Sequence, residues 1–355
     1  MSYQVKNTPV RALQSGMVVG KSILSDSGIV ILDENAVLTD TLIQRLIGWG
    51  VTAIYIKDVA PTRMETVKRR LSKNEVFVAK HAEIVGALKE AFDKIRYLKE
   101  VPVDQLTELA GQCVDSLVDS PVVTSQLLRI RDMDDYTFSH SVNVGVTAGI
   151  IAKWVGLKGQ PVDNLVLAGL LHDTGKTQIP LEILNKPGRF TRAEMAVMQR
   201  HTILGYEILK RTGKMSEAVL LAAQQHHERL DGSGYPEQLD GGAISVYANI
   251  VAVADVLDAM TSKRVYQTAV TPFSVLQEFS DSMSGKLSQH ICRTFMDNMM
   301  LSLLGSNVKL SDGSICEVVF IDKDRMDRPK LLAWDGETID LRERTDLSIE
   351  SIVDN

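Results

Sequence analysis

The apolar positions divide the chain into four textures. From Val10 to Lys57 short β-rich runs alternate with glycine turns (SGMVVGKSILSDSGIVILDENAVL), followed by an amphipathic stretch, TDTLIQRLIGWG, and a β-rich run, VTAIYIK. Alternating runs bounded by turn residues predict strands, and the stretch closing on Gly50 predicts a helix. Residues 1–60 therefore read as a small α/β regulatory domain. Residues 61–120 are charged and helical in period, with Ile84, Leu88 and Phe92 at i, i+4, i+8, which predicts a helical connector or dimerising stalk. Residues 121–305 give helix after helix, with turn signals such as NKPGR and DGSG between them, and predict an all-α domain. After Gly305 the runs VKLSDGSICEVVFIDK and PKLLAWDGETIDL return to β texture, so residues 306–355 read as a β-rich extension of a multi-domain protein.

Composition adds exclusions. With 45% hydrophobic and 24% charged residues the chain has an ordinary globular balance and can bury a core. The most apolar run, NVGVTAGIIAKWVGL, is interrupted by Lys153, and the start MSYQVKNTPV lacks a basic region followed by an apolar one, so a cytoplasmic protein off the membrane is expected. Cys113, Cys292 and Cys316 are scattered and lack CxxC spacing, which predicts buried free thiols rather than disulfides or a cysteine zinc site. A net charge of −6 argues against bulk nucleic-acid binding, and any phosphate ligand must be held by local positive charge. Met283, Met296, Met299 and Met300 read most simply as core.

The candidate chemistry lies in the helical domain. Five of the seven histidines fall beside carboxylates or each other, in SHSVN, LLHDTGK, QRHTILG and QQHHERLDGSGYP, whereas His81 and His290 stand apart. A lone histidine is most simply a hydrogen-bonded structural residue, but a set of this kind is not. His172 and Asp173 follow the apolar run LVLAGLL, where two ionisable neighbours are costly unless paired or coordinated. A metal supplies that compensation; imidazole and carboxylate suit Zn, Fe or Mn, and Asp173 is the candidate bridge between two ions. His201 is expected on a helix opened by a capping box at Thr191 and Glu194. Adjacent His226 and His227, about 100° apart on a straight helix, can converge only near a helix end. Asp255 lies in the apolar NIVAVADVLDAM, with Asp258 one turn on as a supporting or substrate-contacting carboxylate. In a two-metal site the ions clamp the attacking and leaving oxygens and acidify water, so no nucleophilic side chain is needed. Lys176, three residues after Asp173, could neutralise phosphate. The turn Asn185–Arg189 reads equally as a lid or a solvated turn.

Over roughly residues 130–285 the segments YTFSHSVNV, LLHDTGK, IPLEILNKPGRFT, HHERLDGSGYP and AVADVLDAMTSKRVY make the chain resemble an HD-GYP phosphodiesterase, a branch of the HD superfamily. The resemblance implies metal ligation by His140, His172, Asp173, His201, His226, His227 and Asp255, with Gly234, Tyr235 and Pro236 as the GYP triplet. It implies two divalent ions, Fe or Mn foremost and Zn, Ni or Co acceptable. It further implies hydrolysis of cyclic di-GMP to linear pGpG and on to GMP, with Lys176 and Arg264 near phosphates and Tyr235 near substrate. A homodimer and a diguanylate cyclase partner at the GYP loop belong to the same expectation. The N-terminal segment resembles a domain often found ahead of HD-GYP modules.

Some members hold a third metal through a glutamate four residues before the first histidine; Tyr136 stands there, which implies a two-metal centre. Thr202, Val265, Gln267 and the triplet Leu287, Ser288, Gln289 also depart from the family pattern, and these departures bear on substrate more than metal. They keep open cyclic GMP-AMP as substrate, or a dinucleotide receptor or scaffold with little turnover. A mononucleotide-cleaving HD enzyme is disfavoured by the GYP loop.

Overall fold

The computed structural model describes residues 4–14, 17–24, 30–32, 34, 36, 38–48, 51–58, 63–118, 136–262 and 271–353. The chain forms two compact units, residues 1–70 and 71–355.

In the first unit, strands β1 (Gln4–Pro9), β2 (Val18–Val19) and β5 (Ala53–Asp58) make an antiparallel sheet in the order β1-β5-β2. Strands β3 (Ile23–Leu24) and β4 (Val30–Leu32) pair separately, and helix α1 (Asp40–Gly48) lies between β4 and β5 in sequence. The apolar face of α1, Ile43 and Leu46, closes a small core with Val10, Val19, Leu38, Ile54 and Ile56. The predicted α/β character is present.

The second unit is helical with a sheet at its C-terminal end. Helix α2 (Arg63–Asp93) runs into a π-helical turn at Lys94–Leu98, and α3 (Val103–Cys113) runs into another at Val114–Val118. Next come α4 (Tyr136–Trp154), α5 (Gln160–Leu171), a 3₁₀ turn (Thr174–Gln178) and the short α6 (Leu181–Leu184). Helices α7 (Arg192–Gln199), α8 (His201–Lys210), α9 (Glu217–Gln225), α10 (Val246–Ser262), α11 (Pro272–Met283) and α12 (Gln289–Leu303) complete the bundle. Among the described residues no helix is long and apolar enough to cross a membrane.

The boundaries differ from those read in the sequence. The stripe Ile84, Leu88 and Phe92 is buried, and with Leu106, Leu109, Cys113 and Leu117 it shares one core with Val144, Ile151, Leu165 and Leu171 of the bundle. Burying each such side chain is worth about 1.5–3 kcal/mol, which draws the second half of the 61–120 segment into the helical unit rather than leaving it a free-standing connector. The crossing of α4 and α5 is close: a Cβ on Gly169 would collide with the backbone of Gly145 and Val144.

Strands β6 (Asn307–Leu310), β7 (Ile315–Asp322), β8 (Arg325–Ala333), β9 (Thr338–Asp340) and β10 (Ile349–Val353) form an antiparallel sheet in the order β10-β6-β7-β8-β9. Cys316 and Val318 alternate inward on β7, and with Val308, Leu310 and Leu331 they join the bundle core. The Met326 N–H donates to Gln277 Oε1 on α11 at 2.8 Å. The β-rich extension is therefore continuous with the helical unit. Met299 and Met300 are buried, and the partly buried Met283 and Met296 pack against the same core.

Candidate metal centre

Asp173 is the hub, and its position follows from how α5 ends. The apolar run of α5 stops at Leu171, His172 occupies the C-cap, and Asp173 precedes the 3₁₀ turn. Side chains at i and i+3 eclipse in a 3₁₀ turn, which brings Lys176 Nζ to 2.5 Å from Asp173 Oδ2. The helix does not continue through Lys176, yet the two residues still meet. Arg96, in the first π-helical turn, donates to the Lys176 carbonyl at 2.8 Å and holds that turn from the other side.

The two carboxylate oxygens of Asp173 face different histidines. Oδ1 lies 3.4 Å from His201 Nε2 and 4.0 Å from His226 Nε2. Oδ2 lies 3.3 Å from His172 Nε2 and 3.9 Å from His140 Nε2. His140 Nε2 is also 3.2 Å from Asp255 Oδ1, and His227 Nδ1 is 4.0 Å from Asp255 Oδ2. Three groups each bring one ligand atom per residue within 4.8 Å of one another and could hold a metal: His140, His172 and Asp255; His201, His226 and His227; and His172, Asp173 and His226. All seven residues singled out in the sequence converge here.

Each local scaffold explains one ligand. The capping box of Thr191 and Glu194 opens α7, not the helix of His201; the chain breaks at Arg200, and His201 begins α8. Lys186 pairs with Glu194 at 2.6 Å, so it serves this corner rather than facing the histidines. Helix α9 ends at Gln225, which frees His226 and His227 from helical spacing and brings their ring centroids to 4.2 Å. Asp255 lies on α10.

Backbone carbonyls fix the histidine tautomers. His172 Nδ1 donates to Gly169 O at 2.7 Å, His201 Nδ1 to Met198 O at 2.8 Å and His226 Nδ1 to Ala223 O at 3.0 Å. Their Nε2 atoms are then lone pairs. Burial lowers His201 and His226 below the usual histidine range, and His226 is lowered further by His227, so both are neutral. Burial likewise takes His227 down to about 3. Burial opposes ionisation of Asp173, but His172 and Lys176 outweigh it and hold the carboxyl well below its usual range.

The site fits a cation. His201 Nε2 and His226 Nε2 stand 3.3 Å apart with no proton between them, and buried Asp173 Oδ1 accepts no hydrogen bond. Lone pairs facing each other in a buried site are costly unless a positive ion lies among them. Neutral His201, His226 and His227 with ionised Asp173 are the protonation states that metal ligation requires, whereas His140, despite its burial, is pushed up to about 10 by Asp255 and Asp258 and would give up a proton on binding a cation.

Of the two expectations for Asp258, its position matches the supporting one. It is buried behind His140, with Oδ2 2.7 Å from His140 Nδ1 and Oδ1 accepting from Asn143 Nδ2 at 2.9 Å, so it supports a histidine instead of facing a substrate. Tyr235 stacks on His227, with centroids 4.7 Å apart and planes at 26°. Arg264, Val265 and Gln267 lie outside the described residues. Thr202 is buried and donates to Gln199 O; Leu287 is core, and Ser288 occupies the N-cap position of α12 without a side-chain capping bond.

Two residues of the HHERL segment escaped the sequence reading. Glu228, buried, accepts from the backbone N–H groups of Glu237 at 2.7 Å and Leu239 at 3.0 Å, and so ties down the GYP loop. Arg229 donates to the carbonyls of His226 and Glu228. The available signal was two opposite charges wedged between metal-type histidines and a glycine turn. Gly234 is needed because a Cβ there would collide with the backbone of His227, Glu228 and Arg229.

Residues 121–286 match the HD domain family model. The chain is 31% identical over 230 residues to cyclic di-GMP phosphodiesterase PA4108 of Pseudomonas aeruginosa, covering 65% of this chain and 55% of that one. It is 37% identical over 164 residues to 3'3'-cGAMP-specific phosphodiesterase 1 of Vibrio cholerae, covering 46% and 38%. This chain thus spans well under two thirds of these relatives. Among solved structures, Bd1817, an HDG"Y"P protein from Bdellovibrio bacteriovorus, has a similar fold, with a TM-score of 0.51 at 17% identity over 83% of this chain and 99% of that one.

Proposed function

Residues 121–286 are an HD domain, and from that premise we propose that the protein is a metal-dependent phosphodiesterase that hydrolyses a cyclic dinucleotide, cyclic di-GMP foremost, to its linear form and on towards GMP. The observation that carries this reading is the Asp173 carboxylate, set with one oxygen towards His201 and His226 and the other towards His172 and His140. His140, His172 and Asp255 would hold one divalent ion and His201, His226 and His227 the other, with Asp173 shared. Bound there, Fe or Mn would supply Lewis acidity towards water and the phosphodiester.

The side chains have separate tasks. Asp173 holds the two halves in register, and the carbonyl-pinned tautomers present Nε2 lone pairs without rearrangement. Lys176, anchored on Asp173 and partly exposed, brings positive charge to the edge of the centre where phosphate charge develops. Tyr235, stacked on His227, offers an aromatic face at the same edge. No serine or cysteine nucleophile is required. Cys113, Cys292 and Cys316 are buried thiols.

The relatives named for cyclic di-GMP and for cGAMP support a cyclic dinucleotide without choosing between them. Protein loaded with Mn²⁺ or Fe²⁺ should convert cyclic di-GMP to a linear dinucleotide resolved by chromatography. A panel with cyclic GMP-AMP and mononucleotides ranks the substrates. Tight binding of cyclic di-GMP with metal present and no product would instead support the receptor reading.

A further inference from the structure

His140 is held differently from its three neighbours. His172, His201 and His226 each give their Nδ1 proton to a backbone carbonyl, whereas His140 Nδ1 is 2.7 Å from the Asp258 carboxylate. That carboxylate also accepts from Asn143 Nδ2 at 2.9 Å, and Asn143 Oδ1 lies 2.8 Å from His81 Nε2. The partners come from α10, α4 and α2, with bonded pairs up to 118 residues apart in sequence, and His81, Asn143 and Asp258 are all buried.

Proton directions along this chain are fixed by chemistry. An ionised carboxylate only accepts, so Asn143 must turn its NH₂ to Asp258 and its carbonyl oxygen to His81. His81 must then carry its proton on Nε2, and its Nδ1, buried without a hydrogen-bond partner, is a bare lone pair. Burial holds His81 below the usual histidine range despite Asn143 and Asp258, in keeping with this neutral tautomer. A phenylalanine or leucine would leave no bare Nδ1, but it would strip the buried Asn143 Oδ1 of its donor. What histidine adds is the Nε2–H.

We infer that His81, Asn143 and Asp258 form a one-way donor relay that fixes the tautomer and ring orientation of His140, with His81 as a positioning residue reaching the metal centre from α2. Without the His81 donor the Asn143 amide is free to flip and present its oxygen to Asp258, which repels the carboxylate and loosens its hold on His140. The inference rests on His140 being a metal ligand.

Chelator competition on the Co²⁺-substituted full chain, read by Co²⁺ content and visible absorption, tests it. His81→Phe should release one Co²⁺ equivalent about 10–100-fold more readily and change the absorption of that ion, as loss of outer-shell support does elsewhere. His81→Gln, whose amide N–H can replace Nε2–H, should stay within a few-fold of the parent. Asn143→Asp, which sets a second carboxylate against Asp258, should lose the same equivalent and carries the test if His81→Phe does not fold. Parent-like Co²⁺ retention in His81→Phe or Asn143→Asp, or a His81→Gln as impaired as His81→Phe, overturns the relay alone. A parent chain that takes up no Co²⁺ overturns the metal-centre reading and the relay with it.

Discussion

His201 Nε2 and His226 Nε2 face each other at 3.3 Å, and neither can donate, because each ring's proton is committed to a backbone carbonyl through Nδ1. A cation between them would satisfy the pair. Stripping the protein with chelator and restoring Mn²⁺ should raise the melting temperature, since a ligand at 100 times its Kd stabilises the folded state by about 2.7 kcal/mol. His226→Ala should reduce or abolish that rise. An unchanged melt on adding Mn²⁺ to the stripped parent would remove the basis for reading these histidines as ligands.

Lys176 is bonded to Asp173 yet partly exposed. Lys176→Met should lower kcat by roughly 10²–10³, the usual loss for one electrostatic donor to a transition state, while metal content stays at the parent level. Asp173→Asn should lose metal and activity together. Metal loss in Lys176→Met equal to that in Asp173→Asn would mean that the lysine only braces the carboxylate.

Gly234 lies against the backbone of three preceding residues. Gly234→Ala should displace the loop that carries Tyr235, raising KM more than it lowers metal content; a parent-like KM would show that the loop does not contact substrate.

Burial pushes the Cys113 thiol up to about 12 and that of Cys292 to about 11. Folding keeps these groups protonated where the unfolded chain, near pKa ~8.5, releases its protons. Their contribution to stability is complete below that value and declines as pH rises towards the folded-state values. The urea midpoint should therefore fall between pH 8 and pH 10.5 more steeply in the parent than in Cys113→Val. Parallel slopes would contradict the burial account of Cys113.

Much of this was legible in the sequence, for physical reasons that also mark where legibility stops. The seven ligand-type residues stand out because buried ionisable groups need compensation, and the α9 terminus at Gln225 agrees with the spacing of His226 and His227. The α7–α8 break was not legible, because Arg200 has helical dihedrals and nothing in QRHTILG signals a stop. The unit boundary at Arg70 was missed because an amphipathic helix records that it has an apolar face, not what covers it. His81 and Asn143 were beyond reach: their pairing spans 62 residues and depends on α2 packing against α4.

In the proposed reaction two metal ions shared across Asp173 would open a cyclic dinucleotide. Metal quantitation and cyclic di-GMP turnover, measured on one preparation before and after chelation, test it most directly. About two equivalents of Fe or Mn per chain are expected, as two-metal sites of this ligand chemistry hold, with linear product formed and both lost on chelation. Three equivalents, or no turnover of cyclic di-GMP or cyclic GMP-AMP by protein with both sites filled, would contradict it.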